Sequence, residues 1–382
     1  MKTIRFFRAL VLIVALVSTG AVRGADTNTA FSKPEALQAV FLKLCDLSCE
    51  ELSKPSFFDP EELGYVPDIG HRAYYMGSYS IRALAVAYDL TGEKRYLDAC
   101  QLWADKMIDF QERMSPSGAY YMHYDRRPGD TTGDWFTADS SCIAMAVLAT
   151  AVRTADHAKR EKYIQSVKSF ADLVLKSYVR GGGITDGIWR EYDGPWWCST
   201  GTFGSLSFLL YGSTGEQKYL DAGLGAIDWL NAQNFHQQLP VKYNLDQQGP
   251  SFLMYAFEAY AAGLSYLEPT SARHKKALER IEESVDWMPS NLRGLGATKT
   301  MDYNSQWGSK VGGMPFLLYV WSRYRPEGYA LSLTADRELA FTTSIMFDES
   351  RFKEDRRKLS QLMNFTMMSL AEKIRPGYLY RR

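Results

Sequence analysis

Tyr88-Asp-Leu-Thr-Gly-Glu-Lys-Arg-Tyr-Leu-Asp-Ala99 is a stretch the chain uses twice: it returns as Tyr211-Gly-Ser-Thr-Gly-Glu-Gln-Lys-Tyr-Leu-Asp-Ala222, and a weaker copy runs from Thr154 to Ser166. Each copy reads as the end of one helix, a tight turn and the start of another. Glycine suits the left-handed residue that closes the first helix, and the Tyr-Leu pair opens the apolar stripe of the second. The anchoring tyrosines Tyr96, Tyr163 and Tyr219 stand 67 and 56 residues apart. That period is too long for the common short helical solenoids and fits helical hairpins joined by sizeable loops.

Followed outward, the period places first helices over 72–90, 136–154, 198–213, 250–267 and 308–324, and second helices over 94–113, 159–179, 217–234, 271–288 and 353–374. A helix over 34–53 precedes the first pair and can close a ring with the last, which makes about six hairpins. First helices are rich in small residues, among them Ala83, Ala144, Gly201, Gly204 and Ala259, which allow close approach in a crowded inner ring. Second helices carry polar faces such as Lys159-Arg-Glu-Lys162 and Arg273-His-Lys-Lys276, which suit an outer ring facing water. No long strand pattern of period two occurs; 184–192 allows one short hairpin. Residues 294–300 and 325–330 read as loops, and 335–348 as helix or lid. The expected fold class is all-α, an (α/α)6 toroid or six-hairpin barrel, with 25–382 as a single domain.

Residues 1–24 read as a secretory signal peptide: Lys2, Arg5 and Arg8 precede an apolar run from Ala9 to Val17, and Val22 and Gly24 are small enough for a cleavage site. The run is too short to span a bilayer. The expectation is an exported protein, periplasmic or extracellular, with no membrane attachment after signal removal. The full chain has 44 basic and 44 acidic residues; losing Lys2, Arg5, Arg8 and Arg23 leaves 40 against 44, a net charge of minus 4. Without a long basic run, this balance excludes nucleic acid as an expected partner. The cysteines at 45, 49, 100, 142 and 198 are odd in number and lack paired metal-ligand spacing, so mostly buried thiols are expected. No His-Glu-x-x-His, Gly-x-Ser-x-Gly or phosphate-binding glycine loop is present.

The segments entering the first helices are rich in residue types that bind sugars: His71-Arg-Ala-Tyr-Tyr-Met76, Gly133-Asp-Trp-Phe-Thr-Ala-Asp139, Asp193-Gly-Pro-Trp-Trp-Cys198, Asp246-Gln-Gln-Gly249 and Asn304-Ser-Gln-Trp307. If the inner helices run in one direction, these segments meet at one mouth. Aromatic faces stack on the C–H faces of sugars, and carboxylates, amides and guanidiniums read hydroxyl and acid groups. Trp135, Trp196, Trp197 and Trp307 are the candidate subsite residues, or else plugs of the ring. Asp139 opens an apolar helix and is the leading catalytic candidate; the competing role is that of an N-cap, which would lower its pKa where a general acid needs it raised.

The run Trp135-Phe-Thr-Ala-Asp139-Ser-Ser-Cys-Ile-Ala-Met-Ala-Val-Leu-Ala149 resembles the helix start that carries the catalytic aspartate in unsaturated glucuronyl and unsaturated rhamnogalacturonyl hydrolases of the six-hairpin glycosidase superfamily. The hairpin repeat and the junction Trp196-Trp-Cys-Ser-Thr-Gly-Thr-Phe203 fall in the corresponding order, so the resemblance covers most of 70–325. It implies a six-hairpin toroid that hydrates the double bond of an unsaturated uronyl residue. Asp139 would protonate the vinyl ether and then activate water, and no metal or organic cofactor is implied.

Two departures leave substrate and reaction open. The family's Trp-x-Arg-Gly-x-x-Trp is Trp197-Cys-Ser-Thr-Gly-Thr-Phe203 here, and Tyr74-Tyr-Met-Gly77 stands where the glucuronyl hydrolases carry an acid. In Asp186-Gly-Ile-Trp-Arg190-Glu-Tyr-Asp193, Arg190 can hold a sugar carboxylate in a bidentate pair or form a surface salt bridge. Asp186 and Asp193 are the second carboxylates available to a conventional two-acid glycosidase. His71, Tyr75, Arg190 and Asp193 complete the expected contacts to an acidic oligosaccharide or polysaccharide fragment. The alternatives are a polysaccharide lyase using His71 with Tyr74 or Tyr75, or His123 with Tyr124, and a non-catalytic glycan-binding toroid.

Overall fold

Two kinds of helix alternate along the chain. The computed structural model describes residues 34–53, 74–121, 135–187, 194–233, 245–291, 314–324, 336, 339, 340, 343 and 356–380. The 1–24 signal sequence therefore lies outside the described residues. The helices are α1 (Pro34–Leu52), α2 (Tyr74–Thr91), α3 (Lys94–Gln111), α4 (Thr137–Ala151), α5 (His157–Ser177), α6 (Trp197–Thr214), α7 (Gln217–Asn231), α8 (Leu245–Gly263), α9 (Ala272–Asn291), α10 (Met314–Ser322) and α11 (Arg356–Ile374). Helices α4 and α6 are buried on every side, as suits an inner position. By contrast α3 buries one stripe, Tyr96, Cys100, Trp103, Ala104, Met107, Ile108 and Gln111, and turns the rest to water.

Packing contacts run α2 to α4, α4 to α6, α6 to α8, α8 to α10, α10 to α11 and α11 back to α2, so six helices close an inner ring. Outside it, α3 lies on α2 and α4, α5 on α4 and α6, α7 on α6 and α8, and α9 on α8 and α10, while α1 bridges α11, α2 and α3. Between α10 and α11 the described residues 336, 339, 340 and 343 are helical, and Asp336 accepts from Tyr319 of α10 at 2.7 Å and pairs with Lys373 of α11. This is an (α/α)6 toroid. The sequence pattern puts 353–374 in the second, outer set, but α11 is the inner helix that closes the ring on α2. Its buried Phe365, Met367, Met368, Leu370 and Ala371 leave no polar face of the outer kind along this part of the helix.

The repeated turn has the expected geometry. Gly92 and Gly215 follow α2 and α6 with φ of +70° and +72°, and their N–H groups donate to Tyr88 and Tyr211 carbonyls at 2.8 and 2.7 Å. The repeated tyrosine has a reason as well. Tyr96 donates to Asp46 of the preceding outer helix at 2.8 Å, Tyr163 to Asp105 at 2.8 Å and Tyr219 to Asp172 at 3.0 Å. A cation beside each tyrosine joins the same carboxylate: Arg95 at 3.0 Å, Lys159 at 3.0 Å and Lys218 at 2.7 Å. At the next step Arg273 takes both parts, gripping Asp228 at 2.6 and 2.7 Å. The small-residue rule of the inner ring is clearest at Gly201, where a Cβ would fall 2.3 Å from the Tyr255 carbonyl oxygen of α8.

The short hairpin lies earlier than 184–192. It pairs β1 (Val179–Arg180) with β2 (Gly183–Ile184), because Gly181 and Gly182, with φ of +55° and +85°, supply the two left-handed residues of a two-residue turn. None of the five cysteines is in a disulfide. Among the described residues no helix is long and apolar enough to cross a membrane.

Across the ring, Tyr79 of α2 faces Tyr255 of α8 with centroids 6.5 Å apart, and three residues on Arg82 meets Glu258 at 2.9 Å. The contacts advance in step, so these opposite helices run parallel. Beyond the pair, Tyr380 closes the ring from the C-terminal side, its ring 5.1 Å from the Arg82 guanidinium and its hydroxyl 3.4 Å from Glu258. Glu372, buried next to it, is held by Arg323 at 3.0 Å and by the Gly377 N–H; burial pushes its carboxyl up to about 7.

Glu258→Gln should strip a buried charge of its partner and cost roughly 3–5 kcal/mol in urea unfolding, whereas Arg82→Met with Glu258→Leu should recover most of that loss. Tyr163→Phe should cost about 1 kcal/mol, and adding Tyr219→Phe should be additive because the rungs share no partner.

Candidate functional site

Helices α2, α4 and α6 present their first turns at one end of the ring, beside the third turn of α8. Tyr75 stands at the start of α2, Asp139 and Cys142 at the start of α4, and Cys198 at the start of α6. They converge on Tyr255 of α8: burial first, and then the neighbouring Tyr75, Asp139, Cys142 and Cys198, hold its phenol well above the ordinary range. Cys142 is in turn 3.2 Å from the Tyr79 hydroxyl, so Tyr79 and Tyr255 form a floor across the axis.

Asp139 is partly exposed, in the first turn of α4. The N-cap itself is Phe136, in an extended conformation and without a side-chain cap, so Asp139 does not fill the capping role that competed with catalysis. The end of α4 is tied instead to the loop after β2. Phe136 bridges Gly187, and the Thr137 N–H points at the Asp186 carbonyl at 3.4 Å. Ser140 and Ser141 spend their hydroxyls on the carbonyls of Tyr120 and Thr137, at 3.0 and 2.6 Å.

Asp186 joins the two helix starts. It is 6% exposed, and its Oδ1 accepts from the Ser199 hydroxyl in the first turn of α6 at 2.7 Å. Burial pushes its carboxyl up to about 6, against the downward pull of Ser199. Thr185 bridges Pro195, and the Trp196 N–H donates to Ile184 at 2.8 Å, which fixes the entry to α6.

Trp196 and Trp197 stack on each other at 5.6 Å and 8°, both nearly buried. Trp135 is wholly buried, edge-on to Tyr178 at 5.1 Å, and supports the Asp186 loop from behind. Tyr75 is buried and belongs to the cluster around Tyr255. His71, Arg190, Asp193, Trp307, His123 and Tyr124 lie outside the described residues. Sequence reasoning missed Tyr255, Tyr79 and Ser199. Nothing local sets them apart, since Tyr255 sits within the apolar run Phe252-Leu-Met-Tyr-Ala-Phe257 and Ser199 within a helix start.

Neither a protein-family model nor a curated protein matches the sequence. Among solved structures, similar chains include an inactive variant of the alpha-1,6-mannanase of Salegentibacter sp. HEL1_6 with alpha-1,6-mannotriose. It has 12% identity and a TM-score of 0.40, covering 64% of this chain and 87% of that one. A second inactive variant, with alpha-1,6-mannotetrose, has 13% identity and a TM-score of 0.34 over 64% and 86% of the two chains. A glycosyl hydrolase family 88 protein from Bacteroides vulgatus has 15% identity and a TM-score of 0.36 over 55% and 64%. Likeness at this level carries no argument about residues or substrate.

The rise of Asp186 from an ordinary 3.8 to about 6 means that the folded state keeps a proton the unfolded chain releases, so stability falls as pH climbs between about 4 and 6. Asp186→Asn, which can still accept from Ser199, should therefore raise stability by about 2–3 kcal/mol at pH 7 and lose that gain by pH 4. Denaturant midpoints of both proteins across this range check it.

Proposed function

We propose that this chain is an exported glycoside hydrolase acting on acidic, uronic-acid-containing oligosaccharides, by hydration of an unsaturated uronyl residue, with Asp139 as acid/base. The observation that carries the reading is the convergence of Tyr75, Asp139, Cys142, Cys198 and Tyr255 from four inner helices at one end of the ring, floored by Tyr79. A partly open carboxyl in the first turn of α4, with a stacked tryptophan pair at the start of α6, supplies the groups needed to protonate a sugar, activate water and hold a ring. Trp135, Trp196, Trp197 and Trp307 are assigned to subsites or their support, and His71, Tyr75, Arg190 and Asp193 to substrate contacts.

The electrostatics oppose a lyase that uses a phenolate base at Tyr255, because burial and the acids around it favour the neutral phenol.

The test is to incubate the protein with unsaturated uronyl disaccharides and with intact uronate polymers while following the unsaturated-uronate absorbance. Loss of signal is expected; a gain would identify a lyase, and binding without change a non-catalytic glycan binder. Asp139→Asn should lower the rate by on the order of 100-fold or more. Full activity in that variant would end the assignment.

A further inference from the structure

Two carboxyl groups stand at the entry to neighbouring inner helices, in different surroundings. Asp139 is partly open, in the first turn of α4, where the helix dipole favours an anion. Asp186 is buried, and its backbone is clamped to that same turn through Thr137 and through the Phe136–Gly187 bridge. Its side chain reaches α6, where Ser199 holds Oδ1 at 2.7 Å. Of the described elements nearby, α4 carries Asp139 and Cys142, α6 carries Cys198, and β1 follows Tyr178 and carries the exposed Arg180, whose guanidinium turns back to the Val179 carbonyl at 2.7 Å; the influences on the Asp186 carboxyl are its burial and the Ser199 hydroxyl. Burial is accordingly the leading influence on Asp186 and holds its proton up to about 6.

We propose that Asp186 is the proton donor of this site and Asp139 its base. The division rests on the glycoside hydrolase reading and splits two proton steps that Asp139 would otherwise carry alone. In glycosidic cleavage, the Asp186 carboxyl passes its proton to the leaving oxygen as the bond from the anomeric carbon breaks. Water forms the new C–O bond at that carbon, and its proton goes to Asp139. In hydration of an unsaturated uronyl ring, the same proton goes to C4 of the C4=C5 bond, water adds its oxygen at C5, and Asp139 takes the water's proton. Either way one proton leaves Asp186 and one arrives at Asp139, and exchange with solvent resets the pair. Ser199 is the positioning residue, since its hydroxyl holds one oxygen of the acid and lowers its affinity for the proton.

The experiment measures kcat/KM against pH with unsaturated uronyl disaccharides and with saturated acidic oligosaccharides, for wild type, Asp139→Asn, Asp186→Asn and Ser199→Ala, with circular dichroism as the check on folding. Asp186→Asn should stay folded, lose on the order of 100-fold in kcat, and lose the basic limb of the profile. Ser199→Ala should keep that limb but move it to higher pH, an effect a merely structural serine would not have. The inference is overturned if Asp186→Asn stays within about threefold of wild type with an unchanged profile while Asp139→Asn is inactive; the hydrolase reading then survives. An active Asp139→Asn, or a wild type inert on all substrates, sinks that reading and this one together. Should Asp186→Asn fail to fold, an unmoved basic limb in Ser199→Ala overturns the proposal by itself.

Discussion

A charged pair shut away from water sits on the axis of the ring. Arg82 and Glu258 come from opposite inner helices and meet at 2.9 Å with side chains 1% and 0% exposed. Burial works against the Arg82 charge, and Glu258 more than restores it. Each ion loses several kcal/mol of hydration on burial, and neither survives there without the other. The pair sets the relative height of α2 and α8. One turn above it Tyr79 and Tyr255 meet as the floor of the mouth, and on its other side Tyr380 shuts the ring. The toroid is thereby divided into an open end, where helices begin, and a stoppered end, where Glu372, Arg323 and the C-terminal turn interlock.

Much of this ring can be read from one repeated turn. The glycine and tyrosine of the repeat are visible because each does a job that few residues can do: one adopts a left-handed conformation, the other spans two outer helices with a hydroxyl. The acceptors Asp46, Asp105 and Asp172 are not visible in this way. Each lies within an outer helix, 47 to 58 residues from its tyrosine, among other exposed acids. The assignment of 353–374 to the outer set failed for a related reason. Arg356, Arg357 and Lys358 give its first turn a polar look, whereas its burial is decided further on by contact with α2 and α10, which a local pattern does not encode.

The site divides along the same line. Asp139 could be picked out because a lone acid ahead of an apolar run is conspicuous, yet the sequence left its capping role open. Phe136 decides the matter by pairing with Gly187, a contact across 51 residues. Asp186 showed the reverse. In sequence it is one of several acids in a loop, and only folding buries it between the beginnings of α4 and α6 and changes its protonation. Two aspartates thus acquire different characters through depth of burial rather than through their neighbours in the chain.

The costs and the supports of the structure lie in different layers. Most buried groups without a protein partner among the described residues, including Nε and Nη2 of Arg82, Oε2 of Glu258 and Nε1 of Trp135, belong to the inner layer, Trp103 Nε1 of the outer α3 being an exception. The tyrosine-aspartate rungs belong to the outer one, and they hold helix to helix without touching the mouth. What shapes the mouth is instead a set of short loop contacts: Phe136 with Gly187, Thr185 with Pro195, and Asp186 with Ser199. Changes in those loops can re-aim the side chains at the helix starts while the rungs keep the register of the ring. A scaffold so divided can hold its shape while its entry loops set the chemistry, which is why the fold alone does not specify a substrate and the loop residues do.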